Sequence, residues 1–275
     1  MRVGRLDRIL YNGVMRDPEE NRTFLTGLWR QAVPYIAVTL VSVLAILSTA
    51  LLARRAAGMA IGGMLVVFAA LFVVTLYRSR GAAERRLRQL LRDSPTPRPL
   101  LEYVRDSMQK GRLPHSDCMY AGSAAMLLAL YGAEDAAEDS LRSVDWRGRP
   151  PIVRALTLGA EAQIAILCRR DFEAALSALR RGRAMADPGG DFPGAQTAAN
   201  FWDGMVEACQ MMTDVSADDH LARVEARLAR GPIVTLELML LWALAVGYAQ
   251  RGDFARAQEY ARRHRNIAPH CVPPL

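Results

Sequence analysis

The sequence predicts an all-α protein in which an N-terminal transmembrane helical hairpin precedes an α-solenoid of stacked helix pairs. Three observations predict this fold class. Two uncharged apolar runs, residues 31–53 and 56–77, adjoin each other near the start of the chain. Beyond residue 100, apolar residues recur at helical spacing and no long alternating pattern indicates a strand. Short turns at related intervals then divide that region into pairs of helices.

Residues 1–30 are predicted to form a cytoplasmic segment with a short amphipathic helix. Val3, Leu6 and Leu10 recur at three- to four-residue spacing among arginines. Residues 17–20 (Asp-Pro-Glu-Glu) indicate a helix start, because Asp caps the first turn, Pro fits there, and acids favour the positive end of the helix dipole. The pattern does not decide whether the first stretch lies on a membrane.

Residues 31–78 are predicted to form the transmembrane hairpin, with spans at about 32–53 and 56–77. A helix rises 1.5 Å per residue and needs about 20 apolar residues to cross a hydrocarbon core of roughly 30 Å. Two adjoining runs of this length favour spanning over the alternatives of a buried core helix or a signal peptide. Gly58 and Gly62 form a GxxxG that we expect to pack one span closely against the other.

Arginine placement predicts the topology. The loop between the spans carries Arg54 and Arg55, whereas the flanks carry nine arginines, so both termini should face the cytoplasm. Lysine occurs only at Lys110, an arginine bias that fits a bacterial protein and hence the bacterial inner membrane. The flanking arginines are Arg16, Arg22, Arg30, Arg78, Arg80, Arg85, Arg86, Arg88 and Arg92.

The formal charge of +7 divides unevenly along the chain. Residues 1–92 carry 14 Arg and 5 acids, and the rest of the chain carries 21 basic and 23 acidic residues. The excess therefore surrounds the spans, which predicts membrane-lipid contact and disfavours nucleic acid as a partner. Residues 79–99 are predicted to be a basic juxtamembrane helix and a Pro-rich linker, the helix lying along the membrane surface or simply solvated. The predicted anionic-lipid contacts are Arg78, Arg80, Arg85, Arg86, Arg88 and Arg92.

Residues 100–275 are predicted to be the helical repeat domain, and residues 240–269 show its unit most clearly. A first helix contains Trp242, Gly247 and Tyr248, the turn is Gly252-Asp253, and a second helix follows. Its signature residues are Phe254, Ala257 and the closing Pro269. An earlier copy, shifted by 82 residues, matches Asp171, Phe172 and Ala175, but has Arg170 at the turn glycine and Asp187 at the closing proline. A weaker copy matches Gly132 and Ala137.

These units resemble tetratricopeptide repeats, in which small residues mark the crossing of two helices and a proline follows the second helix. The resemblance covers roughly residues 115–270, including a fourth pair at 195–230 with few signature residues. It implies an α-solenoid that binds a protein or peptide in a concave groove, and implies no enzymatic activity. The expected function is therefore a membrane-anchored protein-interaction scaffold or adaptor at the cytoplasmic face. The alternative is an accessory subunit of a membrane transport or envelope complex, whose hairpin packs against other subunits.

Residues that could carry chemistry are scattered. His115, His220, His264 and His270 have no spacing typical of a zinc site, so no metal or cofactor is expected. No nucleophile, phosphate-loop or metalloprotease motif occurs, and the spans contain no ionisable residue. The four cysteines form no motif, and most are expected to be buried as small apolar residues. The partner's identity and the oligomeric state do not follow from the sequence.

Overall fold

The computed structural model of the chain describes residues 81–111, 114–187, 195–214 and 218–274. These residues form ten α-helices packed as helix pairs, with no strand among them, so the all-α prediction is confirmed for this part of the chain. From residue 87 onward they belong to one compact unit. The N-terminal segment, both spans, Gly58, Gly62, Arg78 and Arg80 lie outside the described residues.

The helices follow one another with short connections. In chain order they are α1 (81–93), α2 (Arg98–Gly111), α3 (Ser116–Leu130), α4 (Glu134–Arg142), α5 (Pro151–Ile164, continued by a π-helical turn, Ala165–Arg169), α6 (Phe172–Ala186), α7 (Ala195–Thr213), α8 (Asp218–Ala229), α9 (Val234–Gln250) and α10 (Phe254–Ile267). The pairs are α3/α4, α5/α6, α7/α8 and α9/α10. This arrangement is compatible with a helical repeat.

The turns inside three of the pairs share one backbone geometry. Gly132 and Gly252 have φ of 73° and 80°, and the amide of the following residue donates to the carbonyl five residues earlier in both turns. This is the Schellman ending of a helix, which needs a left-handed residue and so favours glycine. Arg170 occupies the same place with φ 58°. The copy that lacks the glycine therefore still has a left-handed residue at this place.

The turn at Arg170 closes around one additional residue. The amide of Asp171 donates to the carbonyl of Ala165, six residues earlier, at 2.9 Å. The π-helical turn Ala165–Arg169 absorbs the extra residue, because its hydrogen bonds span five residues instead of four. The two helices of this pair consequently keep the same connection as the other pairs.

Aspartates begin the second helix in two of these pairs. Asp171 accepts from the amide of Ala174 at 2.9 Å, and Asp253 accepts from the amide of Arg256 at 3.1 Å. Each satisfies an amide that has no partner within the helix. Ala133 has nearly the same backbone angles as Asp253 but no capping side chain. The sequence match of Asp171 with Asp253 thus corresponds to a shared structural role.

Small residues allow the helices to approach where the large core side chains insert. Trp202 of α7 is buried against Gly159 of α5 and Gly182 of α6, and a Cβ at Gly182 would meet its ring at 2.5 Å. Gly122 of α3 similarly faces Leu156 of α5. The signature alanines are fully buried at such crossings: Ala137, Ala175 and Ala257.

Helix α9 lies at the centre of the fold. Residues 238–248 of this helix are all buried, because α7, α8 and α10 pack around it. Phe172 of α6 meets Trp242 edge-on at 6.2 Å, and the guanidinium of Arg170 lies over the same indole at 4.5 Å. Glu237, in the first turn of α9, forms an ion pair with Arg88 of α1. The buried stretch 238–248 of α9 is therefore enclosed by neighbouring helices.

The C-terminal tail folds back onto the turns of the first two pairs. The amide of Val272 donates to the carbonyl of Leu130 at 2.7 Å, and Arg170 donates to the carbonyl of Pro273 at 3.1 Å. Cys271 is buried beside them. The chain end and the α3/α4 pair are therefore held together, although they are far apart in sequence.

The basic helix α1 turns its apolar side toward protein. Leu91 is fully buried, and Leu87 and Leu90 pack against the core, whereas Arg92 points to solvent. Residues from 87 onward accordingly belong to the compact unit, although they lie within the segment expected to be juxtamembrane. Of the expected linker prolines, Pro99 lies in the first turn of α2, where an amide hydrogen is not needed.

Among the described residues, one helix is long and apolar enough to cross a membrane by length and composition. It is α5 with its π-helical turn, Pro151–Arg169, and 67% of its most apolar window is buried within the fold. Such burial is equally typical of a core helix. This helix is distinct from the two predicted spans.

Candidate partner-binding pocket

A pocket opens where the turn between α8 and α9 meets the first turns of α7. The amide of Gly231 donates to the carbonyl of Leu228 at 3.2 Å and ends α8. Gly231 has φ 68°, which lets the chain reverse, and Pro232 follows because the helix has already ended. Ile233 then precedes α9 without a side-chain cap.

The cavity has a volume of about 270 Å³. That volume is below the roughly 300–1,000 Å³ typical of small-molecule and cofactor sites, and suits one large side chain. Its lining residues come from α7, α8, the turn and α9. They are Asn200, Phe201, Arg227, Arg230, Gly231, Pro232, Ile233 and Leu236.

Apolar side chains form much of this lining. Leu236 is buried, Phe201 is half-buried, and Ile233 is 52% exposed. Ile233 and Phe254 are the large apolar residues that the described part of the chain leaves most exposed. An apolar side chain entering the pocket would remove this surface from water, which is the main favourable term in protein association.

Two arginines line the pocket, and one of them makes it cationic. Arg227 donates to both carboxylate oxygens of Glu207, at 2.8 and 3.0 Å, and to the carbonyl of Asn200 at 3.0 Å. The hydrogen bonds that Arg227 donates to Glu207 raise the pKa of its guanidinium. Arg230 is exposed and forms no ion pair with any of the described residues. The pocket thus combines a fixed, neutralised arginine with an available one.

The predicted signature residues build the scaffold rather than the pocket. Tyr248 and Tyr260 stack in parallel at 5.6 Å, and both hydroxyls donate to Glu225 Oε1, at 2.6 and 2.8 Å. Burial, followed by the bond to Glu225, raises the pKa of both phenols. Gly247 faces Met211 of α7, and Pro269 lies in an exposed turn. These residues join helices and do not converge on a ligand.

The histidines lie in separate places. His115 contacts Arg149 at 2.9 Å, His220 contacts Arg223 at 2.7 Å, and His264 is buried in α10. Burial lowers the pKa of His264 to about 4. No three residues of the His, Cys, Asp and Glu types come together with metal-site geometry within the described ranges.

The cysteines are free thiols, and Cys118, Cys209 and Cys271 are buried as expected. Burial raises the pKa of all of them, and that of Cys209 and Cys271 to about 12. A thiol with a raised pKa forms little of the reactive thiolate. Cys168 is half-buried with the same direction of shift. The thiols therefore serve as packing groups.

The sequence interpretation missed the pocket entirely. None of its lining residues belongs to the repeat signature, because the α7/α8 pair departs most from that signature. The available signal was local: Arg230-Gly231-Pro232-Ile233 places a turn glycine and a proline beside an apolar residue before a helix. Such a turn indicates a helix boundary, but not the cavity beside it.

No family model, no curated protein and no solved structure matches the chain.

Proposed function

We propose that the protein is a membrane-anchored interaction scaffold of tetratricopeptide-like helix pairs, which binds a protein partner at the cytoplasmic face. The observation that carries this proposal is the exposed apolar and cationic pocket at the α8–α9 turn. Exposed apolar concavities with an arginine at the edge are typical of protein contact sites, where a few anchoring side chains supply most of the affinity.

The partner is expected to insert one large apolar side chain and to place a carboxylate near Arg230. The cavity volume supports the first expectation, and the exposed, unpaired guanidinium supports the second. The Arg227–Glu207 ion pair would hold the rim of the pocket in place. It would not attract the partner's carboxylate, because the charge of Arg227 is compensated by Glu207. The hairpin predicted at 31–78 supplies the anchor in this proposal and raises the local concentration of a bound partner at the membrane.

Site-directed photo-crosslinking of the full-length chain in its native membranes tests the proposal. A photoreactive residue at Ile233 should give one discrete protein adduct. The matched control is Ala136, an exposed position on α4, which should give none. Arg230→Glu should abolish the adduct at 233 because it reverses the available charge. Adducts of equal yield at both positions, or an adduct insensitive to Arg230→Glu, would contradict the proposed docking site.

Exchange of the hairpin separates the scaffold from the accessory-subunit alternative. Replacing residues 31–78 with an unrelated two-span hairpin should preserve the adduct at Ile233 if the helical domain carries specificity. An accessory subunit that depends on its spans would lose its complex under the same exchange. Co-purification of the adduct partner with the exchanged chain measures the difference.

A further inference from the structure

Helix α10 presents an outward stripe at the end of the stack of pairs. Phe254, Gln258, Arg262 and Arg265 are all exposed and follow one another at spacings of four, four and three residues. Residues at these spacings share one side of a helix, so the stripe is about 16 Å long. We call these four residues the end stripe.

The equivalent stripe on α6 shows what covers such a surface inside the stack. Its residues lie 82 positions earlier in the chain and begin with Phe172, which meets Trp242 of α9 edge-on. Leu176 follows and is buried, Arg180 is exposed, and Arg183 pairs with Asp203 of α7. Within the fold, this stripe therefore stacks on neighbouring helices through its aromatic ring, its leucine and one of its two arginines.

The end stripe has the aromatic and the cationic residues of this pattern but lacks its apolar residue. Phe254 is 65% exposed, although it starts its helix as Phe172 does. Gln258 replaces Leu176, so the apolar middle is lost. Arg262 and Arg265 are exposed and form no ion pair with any of the described residues. The stripe thus combines an aromatic ring and two available cations on one exposed side of the helix.

The residues of the end stripe favour an anionic lipid surface over a protein helix as the partner. A protein helix stacking as α7 does on α6 would need the apolar middle that Gln258 has removed, because helix packing depends on that contact. A layer of anionic phosphates needs no such complementarity. Arginine binds phosphate oxygens through paired hydrogen bonds, and an apolar phenylalanine ring can enter the boundary between headgroups and acyl chains.

We propose that α10 docks through the end stripe on the anionic headgroup surface of the bilayer. The proposal rests on the membrane anchorage in the proposed function, which keeps such a surface within reach. Replacing both arginines with glutamine should reduce the docked-to-undocked ratio roughly 30-fold, because each arginine near the surface contributes about a factor of five. The contact should also weaken as salt rises, since the Debye length is about 8 Å at physiological ionic strength.

Spin labelling of the full-length chain in vesicles tests this docking. A nitroxide at Gln258→Cys should be shielded from a water-soluble relaxation agent in phosphatidylcholine vesicles that contain phosphatidylglycerol. The shielding should be several-fold weaker in vesicles of phosphatidylcholine alone, in high salt, and with Arg262→Gln and Arg265→Gln together. A label at Ala136→Cys should be equally accessible under all these conditions, because α4 is the matched exposed control.

Each outcome of the spin-label comparison either supports or overturns docking through the end stripe. Equal accessibility of the 258 label in the two vesicle types would overturn the proposal and leave the stripe as a solvated cap. Equal shielding of the 258 label in both vesicle types would also overturn the proposal, and would indicate that the chain associates with itself through the end stripe. If alkaline carbonate extracts the chain from the membrane, the predicted anchorage is wrong. The docking of the end stripe would still be tested, because the same comparison of the 258 label can be made with vesicles added to the chain.

Discussion

Gly182→Ala is expected to destabilise the fold, although alanine is the better helix former. A Cβ at this position would lie 2.5 Å from both Cη2 and Cζ3 of Trp202, and 3.2 Å from Cβ of Leu158. Carbon atoms at optimal contact are about 3.5–4.0 Å apart. The same edge of the indole also lies against Gly159 of α5, where a Cβ would be 3.3 Å from Cη2, so the ring is held between two helices.

The magnitude follows from two opposing terms. Overpacking a well-filled core costs about 1–3 kcal/mol. Alanine in place of glycine in a helix returns up to about 1 kcal/mol. We therefore expect the free energy of unfolding to fall by about 1–2 kcal/mol, since a rigid ring and a helix backbone must both move.

Gly247→Ala provides the matched control near the end of α9. The nearest atom to its Cβ would be the terminal methyl of Met211 at 2.9 Å. That flexible side chain can rotate away, so the helix-propensity gain should offset the remaining contact cost. We expect a change near zero at this position.

Pulsed thiol labelling of Cys209 during a urea titration of the full-length chain in detergent measures these differences. Cys209 is fully buried in α7, so it reacts only when the helix opens. Trp202→Phe should remove the ring atoms that clash and make Gly182→Ala nearly neutral in that background. A Gly182→Ala variant as stable as the parent chain, or an unchanged cost beside Trp202→Phe, would show that the Trp202 ring does not limit the space at this position.

Three further predictions concern a buried histidine, a helix cap and the C-terminal tail. Because burial lowers the pKa of His264 from 6.5 to about 4, its contribution to stability is complete above pH 6.5 and is lost as the pH falls toward 4. The loss should approach about 3 kcal/mol, and His264→Gln should flatten this pH dependence in urea titrations. Ala133→Asp should stabilise the fold by about 0.5–1 kcal/mol, because the aspartate supplies the missing helix cap. Thermal unfolding measures this gain, and an unchanged stability would contradict the shared turn geometry. Arg170→Ala should raise the labelling rate of Cys271 several-fold by releasing the tail, whereas an unchanged rate would show that the tail is held elsewhere.

Short-range signals determined much of the fold from the sequence. Gly132 and Gly252 indicated their turns, and Asp171 and Asp253 indicated helix starts, because turn and cap energetics depend on a few neighbouring residues. The alignment of copies even located the turn at Arg170, where no glycine stands. The two spans, the lipid contacts near them and the partner remain predictions, since they concern residues outside the described ranges or molecules other than this chain.

Only the tertiary structure decided which faces are covered. Phe172 and Phe254 each follow a capping aspartate and each begin a second helix, yet Phe172 packs on Trp242 and Phe254 is exposed. Their surroundings differ because helices follow α6 in the stack and none of the described helices follows α10. The pocket beside Ile233 and the enclosure of α9 have the same origin, since they arise where three or more helices meet. Local residues fix a helix and its ends, whereas burial is set by the neighbours that long-range packing supplies.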